Sequence, residues 1–338
     1  MRGLFATIRD RAAAVVACAR SVRVDPVALE DLAKRLHAEF APGPVCTPGL
    51  WDPGAWDPGI CHVGTPASRL AYVFTLDAIN FGSGWFPRLR KRAGRSGYFT
   101  VALGLKDRFD ALGPWSAEAL QALGPADLAH VTGQTLDDPE VEQLMTLYAR
   151  ALQELGGFLG ARYGGRFEGL VEEAAGSAEA MVALLARMPL YRDVARHPGP
   201  GGPHDEPLEV PFYKRAQITV ADLARAFAGE GPGRFEDLDD LTAFADNLVP
   251  HVLRMEGVLR YAPDLARRID AGELLRAGSP EEVEIRAGGL HGVELLVGAL
   301  RRAGTHAVAH EVDMLLWQRG QQPAMKAHPR HRARCPYY

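Results

Sequence analysis

Apolar residues recur at helical spacing along most of the chain. One such face consists of Val141, Leu144, Met145, Tyr148, Leu152 and Leu155. Residues three and four positions apart lie on the same side of an α-helix, whereas a half-buried strand alternates at every second residue. Because strict alternation is rare here, the pattern predicts a mainly α protein with a few short strands.

Helix-start signals divide this pattern into elements. Asp25-Pro26, Asp138-Pro139 and Ser279-Pro280 each place a capping side chain before a proline that suits the first helical turn. We therefore predict two helices within 5–40, one that begins at Asp138, and others over 176–190, 218–227, 237–258 and 279–303.

Two apolar segments have a pattern that fits either a helix or a strand. In 68–82, a helix would place Asp77 and Asn80 on one face with apolar neighbours, and we favour that interpretation. The segment 306–317 is predicted to be a helix or a strand.

Two segments rich in proline and glycine are predicted loops. Residues 41–60 contain Trp-Asp-Pro-Gly twice and suit an ordered surface loop, and 198–207 suits a loop or lid. A chain of 338 residues fits one large domain or two of ordinary size. We predict one functional unit over 1–338, with a candidate internal boundary near 198–207.

Composition limits the function classes. With 47% hydrophobic and 24% charged residues, the chain can bury a substantial core. Its net charge of −4 disfavours a general nucleic-acid coat, which is usually basic. The four cysteines form no Cys-x-x-Cys pair, and no run of about 18 apolar residues is present. We therefore expect a cytoplasmic protein without a membrane span, a metal or another cofactor.

Asp246 is the first candidate for chemistry. Leu241, Phe244, Leu248 and Val249 surround it with apolar positions. Partial removal from water would raise the pKa of this carboxyl unless a cation or hydrogen-bond donors stabilised its charge. One interpretation is a surface aspartate on an amphipathic helix. The other is a carboxylate that stabilises an oxocarbenium-like centre and orients or activates water.

The segment that contains Phe212, Tyr213 and Lys214 is the second candidate. Lys214 is either a solvated lysine with a packed stem or a cation that pairs with Asp246 or contacts a ligand. The two aromatic residues suit either the core or stacking on a flat ligand. Because adjacent side chains point in different directions, we expect only one ring to face a ligand.

Further polar residues suit a ligand site. Asp77 and Asp313 lie in apolar segments, where a carboxylate either bonds the backbone or accepts hydrogen bonds from a ligand. The tail after residue 327 contains His331 and Arg334 among several basic residues, and it is either solvated or a phosphate clamp.

Several of these segments, in this order, resemble the queuosine salvage family. The resemblance runs from about residue 60 to the end and rests on 76–81, 212–217, 244–254, 284–287, 312–317 and 328–338. The family consists of hydrolases that release the base queuine from queuosine 5'-monophosphate. The resemblance implies an intracellular, largely helical nucleosidase whose architecture is related to helix-hairpin-helix DNA glycosylases.

The resemblance also implies site roles. Asp246 and Lys214 would be catalytic, and the ligand would be the small-molecule nucleotide, with no stable nucleic-acid partner and no membrane. The substrate-binding set would be Asp77, Asn80, Phe81, Trp85, Phe212, Tyr213, Asp313, His331 and Arg334. Within it, Phe81, Trp85 or Tyr213 would stack on the 7-deazaguanine base, while Asp77 and Asp313 would bind its polar edges or its diol.

Two alternatives stay open. The segment 245–254 is also similar to helix-hairpin-helix DNA glycosylases, which carry an aspartate shortly before a hydrophobic helix. That function needs a broad basic face, which the net charge of −4 disfavours, although 88–95 supplies a basic cluster. A non-catalytic module for modified nucleosides would bind its ligand without releasing a base.

Overall fold

The computed structural model describes residues 3–40, 57–201 and 206–338. Most of them are helical. The helices are α1 (Leu4–Cys18), α2 (Pro26–Phe40), α3 (Pro66–Ala78), α4 (Gly97–Leu112), α5 (Ala117–Ala122), α6 (Pro125–Thr132), α7 (Pro139–Tyr163), α8 (Glu168–Ala174), α9 (Ala178–Leu185), α10 (Lys214–Ala226), α11 (Val249–Met255), α12 (Pro263–Asp270), α13 (Pro280–Arg302), α14 (Ala309–Gly320) and α15 (Pro323–Lys326).

Short strands form three two-stranded pairs in the described part of the chain. The strands are β1 (Val22–Val24), β2 (Val194–His197), β3 (Leu208–Pro211), β4 (Leu259–Tyr261), β5 (Leu274–Leu275) and β6 (Arg332–Ala333). The pairs β1–β4 and β2–β3 are antiparallel, and β5–β6 is parallel. The predicted mainly α fold with a few short strands is confirmed, while the helix-hairpin-helix relationship stays a prediction.

Capping explains where the long helices begin. The Asp138 side chain accepts a hydrogen bond from the Glu140 N–H at 2.9 Å at the start of α7, and the Ser279 hydroxyl accepts one from the Glu282 N–H at 3.4 Å at the start of α13. The ambiguous segment 68–82 lies largely in α3, where every residue from 70 to 78 is buried. Burial on all sides explains why its sequence shows no polar face.

The single helix predicted over 237–258 is wrong. The chain makes a short 3-10 turn at Leu238–Asp240, runs without helix through 241–248, and enters α11 only at Val249. Side chains from elsewhere bind the backbone of this segment, as described below, and these contacts replace the hydrogen bonds of a helix. The helix predicted from residue 218 begins earlier, at Lys214.

Packing divides the chain into two compact units. Unit 1 contains Met1–Pro53, Val194–Lys214 and Asp239–Ala333, and unit 2 contains Gly54–Asp193, Arg215–Leu238 and Arg334–Tyr338. The boundary near 198–207 stays a prediction, and residues 202–205 of that segment lie outside the described residues. The same is true of 41–56, which make up most of the predicted surface loop.

The helix α13 is the centre of unit 1. It packs against α1, α2, α11 and α14, and its residues from 282 to 290 are all buried. In unit 2, the 25-residue α7 packs against α3, α5, α6 and α8. Among the described residues, no helix combines the length and the apolar character needed to span a membrane.

Substitution by alanine at two glycines of α13 should change the free energy of unfolding in opposite directions. A Cβ at Gly289 would lie 2.6 Å from Pro250 Cγ, whereas one at Gly298 would meet only Arg302 Nη1 at 3.5 Å. We expect Gly289→Ala to lower the free energy of unfolding by about 1–3 kcal/mol through overpacking of α11 against α13. We expect Gly298→Ala to raise it by about 0.5–1 kcal/mol through higher helix propensity. Urea unfolding measures both, and equal effects would contradict this account of the packing.

Candidate active site

Asp246 lies in the non-helical segment directly before α11. One carboxylate oxygen accepts hydrogen bonds from the Leu248 N–H at 2.8 Å and the Val249 N–H at 2.9 Å. Those N–H groups belong to the residue directly before α11 and to its first residue, and a helix N-terminus favours a negative charge. The side chain is only 9% exposed, so the interpretation as a surface aspartate is wrong.

Opposing effects set the charge of Asp246. Burial raises the pKa of its carboxyl, while the charge of Lys214, the two backbone N–H donors and the charge of Arg330 lower it. The net result is a pKa above the ordinary value for aspartate. The carboxyl is thus sheltered from water, with donors and cations supporting its ionised form.

Asp313, on α14, is close enough to Asp246 for their titrations to interact. It is 3% exposed, and one of its oxygens accepts a hydrogen bond from the Phe244 N–H at 2.9 Å. Burial and the negative charge of Asp246 raise the pKa of Asp313 well above its ordinary value. Two buried carboxyls that share a site do not ionise together readily, and the pKa of each is raised above its ordinary value.

Lys214 is the first residue of α10, where the chain leaves β3. The preceding residue, Tyr213, has a φ of 46°, in the left-handed region that side chains other than glycine seldom adopt. This turn brings a lysine that is 6% exposed within electrostatic range of Asp246 and Asp313. The interpretation as a solvated lysine is therefore wrong, and the catalytic role of Lys214 stays a prediction.

Phe212 and Tyr213 have different surroundings. Phe212 is fully buried, and the Arg286 guanidinium lies 4.1 Å from the centre of its ring. That cation covers one face of the ring, so the structure shows Phe212 in a packing position, and its contact with substrate stays a prediction. Tyr213 is only partly buried, as expected if one ring of the two faces outward.

The tail residues predicted to bind phosphate fall in different units. His331, in unit 1, is buried, and its carbonyl accepts a hydrogen bond from the Asn247 side chain at 3.2 Å. Arg334, in unit 2, forms an ion pair with Glu140 at 2.6 Å. Burial, with the charges of Arg286 and Arg330, lowers the pKa of His331 to about 3, so its ring is neutral at pH 7 and cannot act as the predicted cation.

This buried imidazole should make unit 1 sensitive to acid. Below about pH 6.5 the histidine of the unfolded chain binds a proton that the folded ring does not. The free energy of unfolding therefore decreases as the pH is lowered, by at most about 1.4 kcal/mol per pH unit for this one group. We expect His331→Gln to weaken that dependence between pH 6.5 and 4. Urea unfolding at several pH values measures it, with the exposed His328→Gln as the control for loss of an imidazole. An unchanged slope in His331→Gln would contradict the assignment.

The other predicted binding residues lie in unit 2. The Asp77 carboxylate is fully buried and accepts a hydrogen bond from the Asn80 side chain at 3.3 Å. The structure therefore places these two side chains together, on the last turn of α3 and just beyond it. Their contact with substrate stays a prediction.

Phe81 and Trp85 are core residues in this structure. Each is 2% exposed. The Arg215 guanidinium lies 4.8 Å from the centre of the Phe81 ring, and the Tyr148 ring meets it edge to face at 5.0 Å. The Trp85 indole N–H donates to the Gln143 side chain at 2.9 Å. Their predicted role as stacking platforms is not supported by these enclosed positions.

Arg286 and Arg330 were not predicted as individual site residues. Arg286 lies in the buried stretch of α13, and its Nε–H donates to the carbonyl of Ala245 at 2.9 Å. The sequence places Glu281, Glu282 and Glu284 directly before Arg286, so the local pattern is that of a charged helix face and does not indicate burial. Arg330 is one of several basic residues in the tail, and the sequence does not indicate which of them lies close to the carboxylates. Within the described ranges, no group of three or more His, Cys, Asp or Glu residues could bind a metal ion.

Comparison with known proteins supports the resemblance to the queuosine salvage family. A protein of Sphaerobacter thermophilus named queuosine 5'-phosphate N-glycosylase/hydrolase is 39% identical over 330 residues, which cover 96% of this chain and 95% of the relative. Proteins with the same name from Bos taurus, 30% identical over the full length of both chains, and from Mus musculus, 32% identical over 81% of this chain and 83% of the relative, also match. The sequence model of the family described as queuosine salvage protein matches residues 61–338, and the chain therefore belongs to the queuosine salvage protein family.

Proposed function

We propose that this protein hydrolyses the N-glycosidic bond of queuosine 5'-monophosphate and releases queuine for salvage into tRNA. Membership of the family and the name shared by the relatives support an N-glycosylase/hydrolase activity. The structural observation that supports it most directly is the buried pair of Asp246 and Asp313 beside Lys214. We place the reaction in the cytoplasm and expect no stable nucleic-acid partner.

Asp246 stabilises the sugar as the bond breaks. When the C1'–N9 bond stretches, positive charge develops on the ribose, and a nearby carboxylate lowers the free energy of that transition state. Water adds to C1', and Asp246 orients it and accepts its proton. Lys214 favours the ionised form of Asp246, because its charge lowers the pKa of this buried carboxyl against the effect of burial.

The leaving base needs a proton or a hydrogen bond. A 7-deaza base lacks N7, so the electron pair of the broken bond must be stabilised through N3 or O6 or by protonation of N9. We assign the acid of this step to Asp313, because burial and the negative charge of Asp246 raise the pKa of its carboxyl. An acid–base pair needs one carboxyl that is protonated and one that is ionised, so the pKa values of the two groups must differ.

Chromatography of queuosine 5'-monophosphate incubated with the purified protein tests the proposal. We expect free queuine from the wild type and none above background from Asp246→Ala. Queuosine without the phosphate and damaged duplex DNA serve as comparison substrates. Release of a base from DNA but not from the nucleotide would overturn the proposal in favour of a repair glycosylase, and ligand binding without release would favour a binding module.

A further inference from the structure

Arg286 contacts both segments that carry the proposed catalytic residues. Its guanidinium lies 4.1 Å from the centre of the Phe212 ring, two residues before Lys214. Its Nε–H donates at 2.9 Å to the carbonyl of Ala245, the residue directly before Asp246. One side chain thus contacts two segments that are distant in sequence.

A third segment lies close to the same side chain. The pKa of His331 is lowered first by burial and then by the charge of Arg286, which indicates that the guanidinium is near this ring. His331 follows Arg330, whose charge acts on Asp246. The Asn247 amide, next to Asp246, donates to the His331 carbonyl at 3.2 Å.

Arg286 is held in place by a long, buried helix. It lies on α13, a helix of 23 residues at the centre of unit 1, and its side chain is buried. Glu282, one turn earlier on the same helix, lies 3.9 Å from its Nε and partly compensates its charge. A buried arginine is costly to desolvate, so this position suits a residue with geometrically specific contacts.

We propose that Arg286 is the positioning residue that fixes Lys214 and Asp246 relative to each other, and this inference rests on the proposed function. Its planar guanidinium stacks on an aromatic face and directs an N–H along a fixed axis. Lysine provides neither feature. Loss of Arg286 frees the 241–248 segment and the turn at Phe212, while the catalytic side chains themselves stay present.

Steady-state kinetics per folded enzyme test the proposal with Arg286→Met and Arg286→Lys. We expect kcat to fall about 100-fold with KM nearly unchanged, because misplacement of reacting groups by about 1 Å can cost that much. The matched control is Arg301→Met on the same helix, whose Nε–H donates to the Ala307 carbonyl at 2.8 Å and which should keep wild-type kcat. If Arg286→Met does not fold, Arg286→Lys carries the test.

A double-mutant cycle with Phe212→Leu separates positioning from general packing. If Arg286 acts through this ring, the two substitutions together should reduce kcat by less than the product of their separate effects. Independent effects on kcat, or a kcat of Arg286→Met within about threefold of the wild type, would overturn the proposal.

A second measurement keeps this inference separate from the proposed function. If the wild type releases no queuine, the proposed function fails and kinetics give no information on Arg286. Carboxyl ¹³C NMR titration of the Asp246–Asp313 pair then serves as the readout. Positioning predicts changed apparent pKa values in Arg286→Met and wild-type values in Arg301→Met, and identical titrations in all three proteins would overturn it.

Discussion

Asp246→Asn should fold like the wild type and lose most of its activity. An asparagine side chain has the same shape and retains an oxygen that can accept from the Leu248 and Val249 N–H groups, so α11 should keep its start. What disappears is the negative charge opposite the developing sugar cation. Removal of one electrostatic group of this kind costs about 100- to 1,000-fold in kcat.

Asp25→Asn is the matched control for that experiment. Asp25 caps α2 with the same geometry, since one oxygen accepts from the Val27 and Ala28 N–H groups at 3.0 Å each. The same chemical change at a cap that is remote in sequence should leave kcat near the wild-type value. Queuine release is measured by chromatography at saturating substrate. Near-normal turnover by Asp246→Asn would contradict the catalytic role of this carboxylate.

Lys214→Met should reduce kcat strongly at pH 7 and change its pH dependence. The charge of Lys214 lowers the pKa of Asp246, so its removal raises that pKa and leaves a larger fraction of the carboxyl protonated at neutral pH. Activity that requires ionised Asp246 should therefore recover in part as the pH rises. We expect about a 100-fold loss at pH 7, as for other groups that act through charge in a buried site.

The acidic limb of the pH profile of kcat measures this effect. In Lys214→Met the limb should move to higher pH than in the wild type. Lys106→Met, which removes a lysine paired with Asp110 at 2.5 Å, controls for loss of an ammonium group elsewhere in the chain. A uniform loss of kcat at every pH would show that Lys214 does not act through the charge of Asp246.

The polar atoms of the backbone explain why one predicted helix was wrong. The apolar spacing of 241–252 suits a helix, but Asp313 accepts from the Phe244 N–H and Arg286 donates to the Ala245 carbonyl. These partners come from α13 and α14, and no local pattern reports them. Once they occupy the backbone groups, the segment has no need of helical hydrogen bonds.

The substrate contacts of the aromatic residues stay predictions for a related reason. Composition suits Phe81, Trp85 and Phe212 to the core, and it cannot tell which aromatic ring contacts a ligand. Only the fold shows that Arg215 covers Phe81 and that Arg286 covers Phe212. A sequence reports that a ring is apolar, but the neighbours that enclose it come from other elements.

The sequence by itself determined the family, the mainly α fold and the starts of α7 and α13. These properties depend on local spacing, capping and the order of motifs, which are all written along the chain. Tertiary structure alone decided that Asp246 precedes a helix and that the pKa of Asp313 depends on the charge of Asp246. It also decided that Arg286 contacts both the Ala245 carbonyl and the Phe212 ring. Each of these depends on charges and hydrogen bonds between residues that are distant in sequence, and such contacts exist only after the chain has folded.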